Sequence, residues 1–461
     1  MSTTLIRGAA AIMTGLAGAD ARTDATDIRI GGGRILEVGR LSPLPGETQV
    51  DASGCVVYPG WVNTHHHLFQ SMLKGVPAGI NSSLGDWLVQ VTARYRGRFD
   101  GGALEVAATV GIAELLLSGC TTVADHHYLY YPDMPFDGAR ILFDVAERMG
   151  VRFVLCRGGM TRPQPGFEVD IPRELRPESA DAMIADVESL VQRYHDPDPL
   201  ATRRVVMAPT TPTYRVRPED LREMARAARA LGIRLHTHLS ENLDYLRFFR
   251  EVHDRTPIEF CDEHEWLGPD VWFAHLCHTG DDEIERMART GTGIAHCPAS
   301  NCRLGSGIAQ APKMAAAGMT VSLAVDGAAS NESADMISEA HMAWMVHRAA
   351  KGLGRFEGGG DAVTAEQVIH WGTRGGADIL GLDVGSIEPG RAADLAVYSL
   401  DEPRYMGLHD IGIGPVVGGG RPRLRCLMVG GKVVVRDDAI PGLDMAELAA
   451  RSRAVLARVM Q

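Results

Sequence analysis

At 461 residues the chain exceeds the about 250 to 300 residues that one hydrophobic core usually organises, so two structural units are expected. A hydrophobic share of 45% and a charged share of 23% are those of an ordinary globular enzyme and exclude fibrous and disordered classes. The net charge of −12 argues against nucleic acid as a partner, because phosphate backbones are held by clustered Lys and Arg.

The 8 cysteines include no CxxC pair, and several lie in apolar runs. They read as reduced, buried thiols of a cytoplasmic protein. Arg7 ahead of Ala9-Ala10-Ala11-Ile12-Met13 faintly resembles a signal peptide, but Thr14 and Gly15 interrupt its short apolar core. No run approaches the ~18 apolar residues of a membrane span, so no membrane partner is expected. The expected assembly is a homo-oligomer.

Residues 1–58 read as short strands with tight turns, as in Asp27-Ile28-Arg29-Ile30, Gly31-Gly32-Gly33 and Arg34-Ile35-Leu36-Glu37-Val38. Residues 385–461 repeat that grammar in Cys426-Leu427-Met428-Val429, Gly430-Gly431 and Lys432-Val433-Val434-Val435. Neither end has enough strands for its own core, so a small β-sandwich built from both termini is expected. Across 59–384, apolar strand-like runs alternate with helical stretches such as 103–117 and 218–231, the signature of βα units. Candidate strands fall at 58–67, 120–126, 151–157, 203–209, 233–238, 271–275, 292–296 and 320–326. Eight such units close into a distorted (β/α)8 barrel of the α/β class, whose catalytic residues sit at the C-terminal strand ends.

Those ends carry His65 and His67, Asp125 and His126, Arg157, Thr210, His238, His275, His296 and Asp326. In a strand, His65 and His67 point to one side and His66 to the other, because side chains alternate. His65, His67, His238 and Asp326 would offer three imidazoles and one carboxylate to a metal, with one position left for water. His236 shares a face with His238 and reads as a supporting or packing residue. Glu241 follows the strand end and is either a solvated first-turn acid or a proton-transfer group beside the metal. His275 could bond the metal's water. Asp326 ends a buried strand and is costly there unless paired or metal-bound, with Gly327 letting the chain turn sharply.

Pro59-Gly60 through His67, His238 with Glu241, Ala274-His275, His296 through Asn301, Asp326-Gly327 and Gly385 through Asp394 together resemble the amidohydrolase superfamily, in its cytosine/guanine deaminase-like branch. The resemblance covers essentially the whole chain. It implies a distorted TIM barrel, ligand roles for His65, His67, His238 and Asp326, and acid/base roles for Glu241 and His275. Binuclear members carry a carboxylated lysine at the end of strand four, where this chain reads Val205-Val206-Met207-Ala208-Pro209-Thr210. One zinc ion per chain is therefore expected, although iron also suits the ligand types. Asp326 with His275 would take the proton of the attacking water, and Glu241 would protonate a ring nitrogen before ammonia leaves.

The small-molecule heterocyclic substrate is expected to meet loops after the strands, with Trp87 and Tyr128 as aromatic walls, Gln70 on a ring amide and Arg157 on a carbonyl. Packing of the loop against the barrel rim explains Trp87 equally well, and a rim salt bridge explains Arg157. Guanine deaminases of this branch place an arginine-phenylalanine pair just after strand four, where Thr210-Thr211-Pro212 stands here. Gln70 and Arg157 instead resemble the subgroup acting on oxidised rings, the 8-oxoguanine and isoxanthopterin deaminases. The competing readings are a triazine-type chlorohydrolase or N-dealkylating aminohydrolase, a guanine or cytosine deaminase, and a scaffold that has lost its metal.

Overall fold

Eight parallel strands line up in chain order into one sheet: β1 (Trp61–His66), β2 (Cys120–His127), β3 (Arg152–Arg157), β4 (Arg203–Met207), β5 (Leu235–Leu239), β6 (Val271–His275), β7 (Gly293–His296) and β8 (Val321–Leu323). The computed structural model describes residues 3–163, 169–352 and 363–461. Between the strands run helices such as Gly101–Leu117, which Asp100 caps by accepting from the Ala103 amide at 2.8 Å, and Pro218–Ala230, which starts on proline. Val62, Ala124, Val154, Val206, Trp272, Ala295 and Ala324 belong to one buried cluster, so the barrel is packed rather than hollow.

The ring closes between β1 and β8 through a single parallel bridge, His66 to Asp326. There the Asp326 amide donates to the His65 carbonyl at 3.1 Å, and the Val325 amide donates to Asn63 Oδ1 at 3.1 Å. Closure thus depends on the residues that carry the candidate chemistry. A second loose seam lies between β4 and β5, which pair only at Met207 and Leu235. Beyond it side chains bridge the strands: Thr237 Oγ1 donates to the Pro209 carbonyl at 2.7 Å and His238 Nδ1 to the Thr210 carbonyl at 2.6 Å.

The expected first strand, 58–67, divides at Gly60. Cys55–Pro59 pairs with Leu395–Ser399, whereas Trp61 onward pairs with β2. The hydrogen bonds show why: the Gly60 amide donates to the Asp394 carbonyl and the Trp61 amide to the Gly119 carbonyl, so the partner changes within one residue. The last strand is shorter than the expected 320–326, because the chain leaves extended geometry and reaches φ 57° at Asp326.

Both termini supply the remaining sheets. One runs Arg34–Gly39, Asp27–Gly31, Thr3–Arg7, Thr48–Asp51; the other runs Lys432–Arg436, Arg423–Val429, Leu395–Ser399, Cys55–Pro59, Ala11–Met13, Arg22–Thr23. The Gly32-Gly33 hairpin turn has φ of 60° and 79°, values that L side chains resist. Ile6, Ile28, Ile35, Val57, Val397 and Met428 from the two sheets share one core. The chain's last helix, Met445–Val459, departs from this β grammar and lies against helix Gly101–Leu117, with Arg458 2.6 Å from Asp100. All 8 cysteines are free and only Cys302 is exposed. No helix among the described residues is long and apolar enough to cross a membrane.

A buried ion pair ties barrel to sandwich: Arg152, at the start of β3, donates from Nε and Nη2 to the two oxygens of Asp394 at 2.7 and 2.9 Å. Breaking such a pair leaves a buried charge alone, so Asp394→Ala is expected to lower unfolding free energy by about 3–5 kcal/mol. Urea unfolding followed by circular dichroism measures this, and a loss below about 1 kcal/mol, the range of exposed pairs, would contradict it.

Candidate active site

The C-terminal strand ends bring His65, His67, His238, His275 and Asp326 together at the barrel mouth. Two sets of side chains, His65, His67, His126 and His238, and His65, His238, His275 and Asp326, each present ligand atoms within 4.8 Å of one another. Asp326 Oδ1 lies 3.1 Å from His67 Nε2 and 3.3 Å from His65 Nε2, and His67 Nε2 lies 3.3 Å from His238 Nε2.

The tautomers follow from what each outer nitrogen meets. His67 Nδ1 faces the His126 carbonyl at 2.7 Å and His238 Nδ1 the Thr210 carbonyl at 2.6 Å; carbonyls only accept, so both Nδ1 atoms carry the proton. His65 is set through a relay. His236 Nδ1 donates to the Trp272 carbonyl at 3.0 Å, leaving His236 Nε2 to accept from His65 Nδ1 at 2.7 Å. Three Nε2 lone pairs therefore converge on a carboxylate oxygen with no proton between them. Electron pairs at such distances repel unless a cation lies among them, and the donor set fits a divalent metal. Burial holds His65 and His238 well below the usual histidine range, keeping both as neutral ligands.

Asp326 is aimed from behind. Its Oδ2 accepts from Ser300 Oγ at 2.5 Å and Ser330 Oγ at 2.9 Å, which leaves Oδ1 toward the histidines. His66 points away as alternation predicts, its Nδ1 donating to the Asp326 carbonyl at 2.5 Å. The sharp turn is made by Asp326 itself, at φ 57°; Gly327 has φ −72°, so the role expected for it is corrected. What Gly327 provides is space: a Cβ there would lie 1.8 Å from Gln70 Oε1. Left-handed backbone recurs at Ser240 (50°), His275 (76°) and Leu276 (47°), a concentration of strain at the mouth.

His275 Nδ1 donates to Asn301 Oδ1 at 2.9 Å, so its Nε2 is an open base, 3.8 Å from Glu241 Oε2. Glu241 follows β5 through Ser240 and borders the cavity, where burial raises its carboxyl and favours the protonated form. A solvated first-turn acid would not be so placed.

These groups open onto a cavity of about 310 Å³ that Gln70, Trp87, Tyr128 and Arg215 also line. Gln70 Nε2 donates to Tyr128 Oη at 2.8 Å, while its buried Oε1 has no partner among the described residues. Tyr128 packs edge-on to His67 with centroids 4.8 Å apart, and Trp87 Nε1 donates to the Ala329 carbonyl at 3.2 Å. Arg157 is the misplaced expectation. It lies outside the cavity lining, its guanidinium held by Glu178 at 2.8 and 2.9 Å and by Asp186 at 2.8 Å, over the Tyr130 ring at 3.9 Å. The salt bridge weighed against substrate binding is what the structure contains. The cavity's arginines are Arg96 and Arg215, neither anticipated. Ser300, Ser330 and Asn301 were also missed as site-builders, although Ser300 and Asn301 lie in a motif already singled out; His236, read as supporting or packing, bonds His65.

Related sequences and structures span the length of this chain. The Amidohydrolase family model matches residues 56–434. An isoxanthopterin deaminase from an unknown prokaryotic organism is 54% identical, covering 99% of this chain and 97% of its own. An 8-oxoguanine deaminase of Pseudomonas aeruginosa is 39% identical, covering 98% of each. The crystal structure of atrazine chlorohydrolase TrzN from Arthrobacter aurescens complexed with zinc superposes with a TM-score of 0.90 at 30% identity, over 98% of this chain and 100% of that one. With a family match over most of its length and relatives this similar end to end, the chain belongs to the amidohydrolase family.

Proposed function

We propose that this amidohydrolase is a metal-dependent hydrolytic deaminase of an oxidised, aminated heterocycle of the isoxanthopterin or 8-oxoguanine type, releasing ammonia. One observation carries the reading: three imidazole lone pairs and Asp326 Oδ1 converge in a cavity that also holds Glu241, an acid raised by burial, and His275, an open base. The names of the two relatives support the substrate class. The catalytic unit in this reading is the barrel, 59–384, with 1–58 and 385–461 as its β-rich flank.

His65, His67, His238 and Asp326 would hold one zinc ion, and iron also suits them. Such an ion, when bound, supplies a Lewis acid that makes water nucleophilic near neutral pH. His275 takes a proton from the attacking water at Nε2, the atom its bond to Asn301 leaves free. Asp326 has Oδ2 engaged by two hydroxyls and acts through Oδ1 alone. Glu241 gives its proton to the ring nitrogen beside the attacked carbon and recovers one from the added hydroxyl as the new carbonyl forms, while the proton taken by His275 goes to the exocyclic amine. A C–O bond forms, the C–N bond breaks, and ammonia departs.

For substrate, Gln70 Oε1 is a buried acceptor that needs an N–H, and a pyrimidine amide edge supplies one. Tyr128 and Trp87 wall the ring. The additional ring oxygen is met by Arg215, which borders the cavity in the loop after β4, in place of Arg157.

Glu241→Gln is expected to keep metal binding while lowering kcat by about two or more orders of magnitude, the scale of a positioned proton-transfer group. A metal-loaded variant with near-normal turnover would remove Glu241 from the mechanism. The substrate assignment is tested by kcat/KM for isoxanthopterin, 8-oxoguanine, pterin and guanine. The oxidised rings should be preferred, and Arg215→Ala should erase that preference by roughly tenfold or more, as expected for an unpaired buried polar group. Arg157→Ala should leave it intact. Equal or better rates on pterin and guanine would contradict the assignment.

A further inference from the structure

Glu339 sits in helix Met336–Gly352, is 1% exposed and borders no part of the catalytic cavity. Its Oε1 accepts from the Ala299 amide at 3.0 Å and its Oε2 from Asn331 Nδ2 at 2.7 Å. Each partner leads to the active site. Ala299 lies in the first turn of helix Pro298–Leu304, whose N-cap residue Cys297 makes no side-chain cap, so Glu339 caps that helix from another element. The next two residues of the same helix are Ser300, which donates to Asp326 Oδ2 at 2.5 Å, and Asn301, which accepts from His275 Nδ1 at 2.9 Å. Asn331 Nδ2 donates also to the carbonyl of Val325, at 2.9 Å, directly before the left-handed turn at Asp326.

We propose that Glu339 is a positioning residue that sets the orientation of both Asp326 and His275 by joining helix Pro298–Leu304 to the 325–331 turn. Chemistry favours a carboxylate at this point. Both partners are N–H donors, so the two ends of the side chain must both accept. Glutamine has one oxygen and one NH2, and would turn one of the contacts into donor against donor. A buried carboxylate is costly: burial pushes this one up, and the bonds from Ala299 and Asn331 oppose that shift by favouring the charged form. The cost is offset by what the two bonds hold in place. This inference rests on the roles assigned above to Asp326 and His275.

The test uses the full-length protein and Co(II), and needs no substrate. Wild-type and Glu339→Gln proteins are loaded with Co(II), the visible d–d absorption is recorded, and release to a chelator is timed. Glu339→Gln should bind Co(II) with a displaced absorption band and lose it about 10–100-fold faster, the range seen when a partner behind a metal ligand is removed. A merely structural role would lower the unfolding midpoint and leave the band and the release rate unchanged, and that result overturns the proposal. Asn331→Ala provides a second variant if Glu339→Gln does not fold: it frees the Val325 carbonyl while leaving the Glu339 bond to Ala299, and should shift the band in the same direction. A folded Asn331→Ala protein with the wild-type spectrum and release rate would equally overturn it. Wild-type protein that takes up no Co(II) would refute the reading of the site itself, and this inference with it.

Discussion

Three imidazole nitrogens and one carboxylate oxygen, all bearing lone pairs, converge in a buried barrel mouth, with Asp326 Oδ1 3.1 Å from His67 and 3.3 Å from His65, and His67 3.3 Å from His238. Their protons are spent on carbonyls behind them, and a cation is the component that makes the arrangement favourable. Much of the surrounding structure exists to keep those lone pairs pointed inward. Trp272 and His236 set His65, the His126 carbonyl sets His67, the Thr210 carbonyl sets His238, and Ser300 with Ser330 sets Asp326. Losing any of these partners would free a ring or leave a buried group unsatisfied.

The barrel supplies this convergence because its strands end on one face. β1 contributes His65 and β5 contributes His238, while His67 and Asp326 lie just beyond β1 and β8, where the ring closes by a single bridge. The bridging residue on the β8 side is Asp326 itself, and its φ of 57° ends the extended run there. Pairing is exchanged for aim. The same trade is seen between β4 and β5, where the strands separate and His238 reaches the Thr210 carbonyl.

Period-two alternation made His65 and His67 legible before any coordinates, and strand-end placement did the same for His238, His275 and Asp326. Gln70, Trp87 and Tyr128, named from the sequence as substrate contacts, line the cavity. The sequence misled where a choice depended on partners far away in the chain. Arg157 ends a strand as a ligand-binding residue would, yet Glu178 and Asp186 capture it, and nothing local announces them. Gly327 reads as the residue of a sharp turn because glycine tolerates one; its demand comes from Gln70, 257 positions earlier in the chain, whose amide occupies the space a Cβ would fill. For His236 the sequence leaves support and packing side by side, because the bond that decides between them, to His65, crosses from β5 to β1. Strand limits at 58–67 and 320–326 were too long, since neither a change of pairing partner nor a left-handed aspartate leaves a mark in hydropathy.

The most direct test of the convergent lone pairs is the metal content of the purified protein, measured by elemental analysis alongside protein concentration. One tightly held transition-metal ion per chain is the expected result, with occupancy lost in His65→Ala and Asp326→Ala. Two tightly held ions per active chain, an active protein with none, or full occupancy in either variant would contradict it.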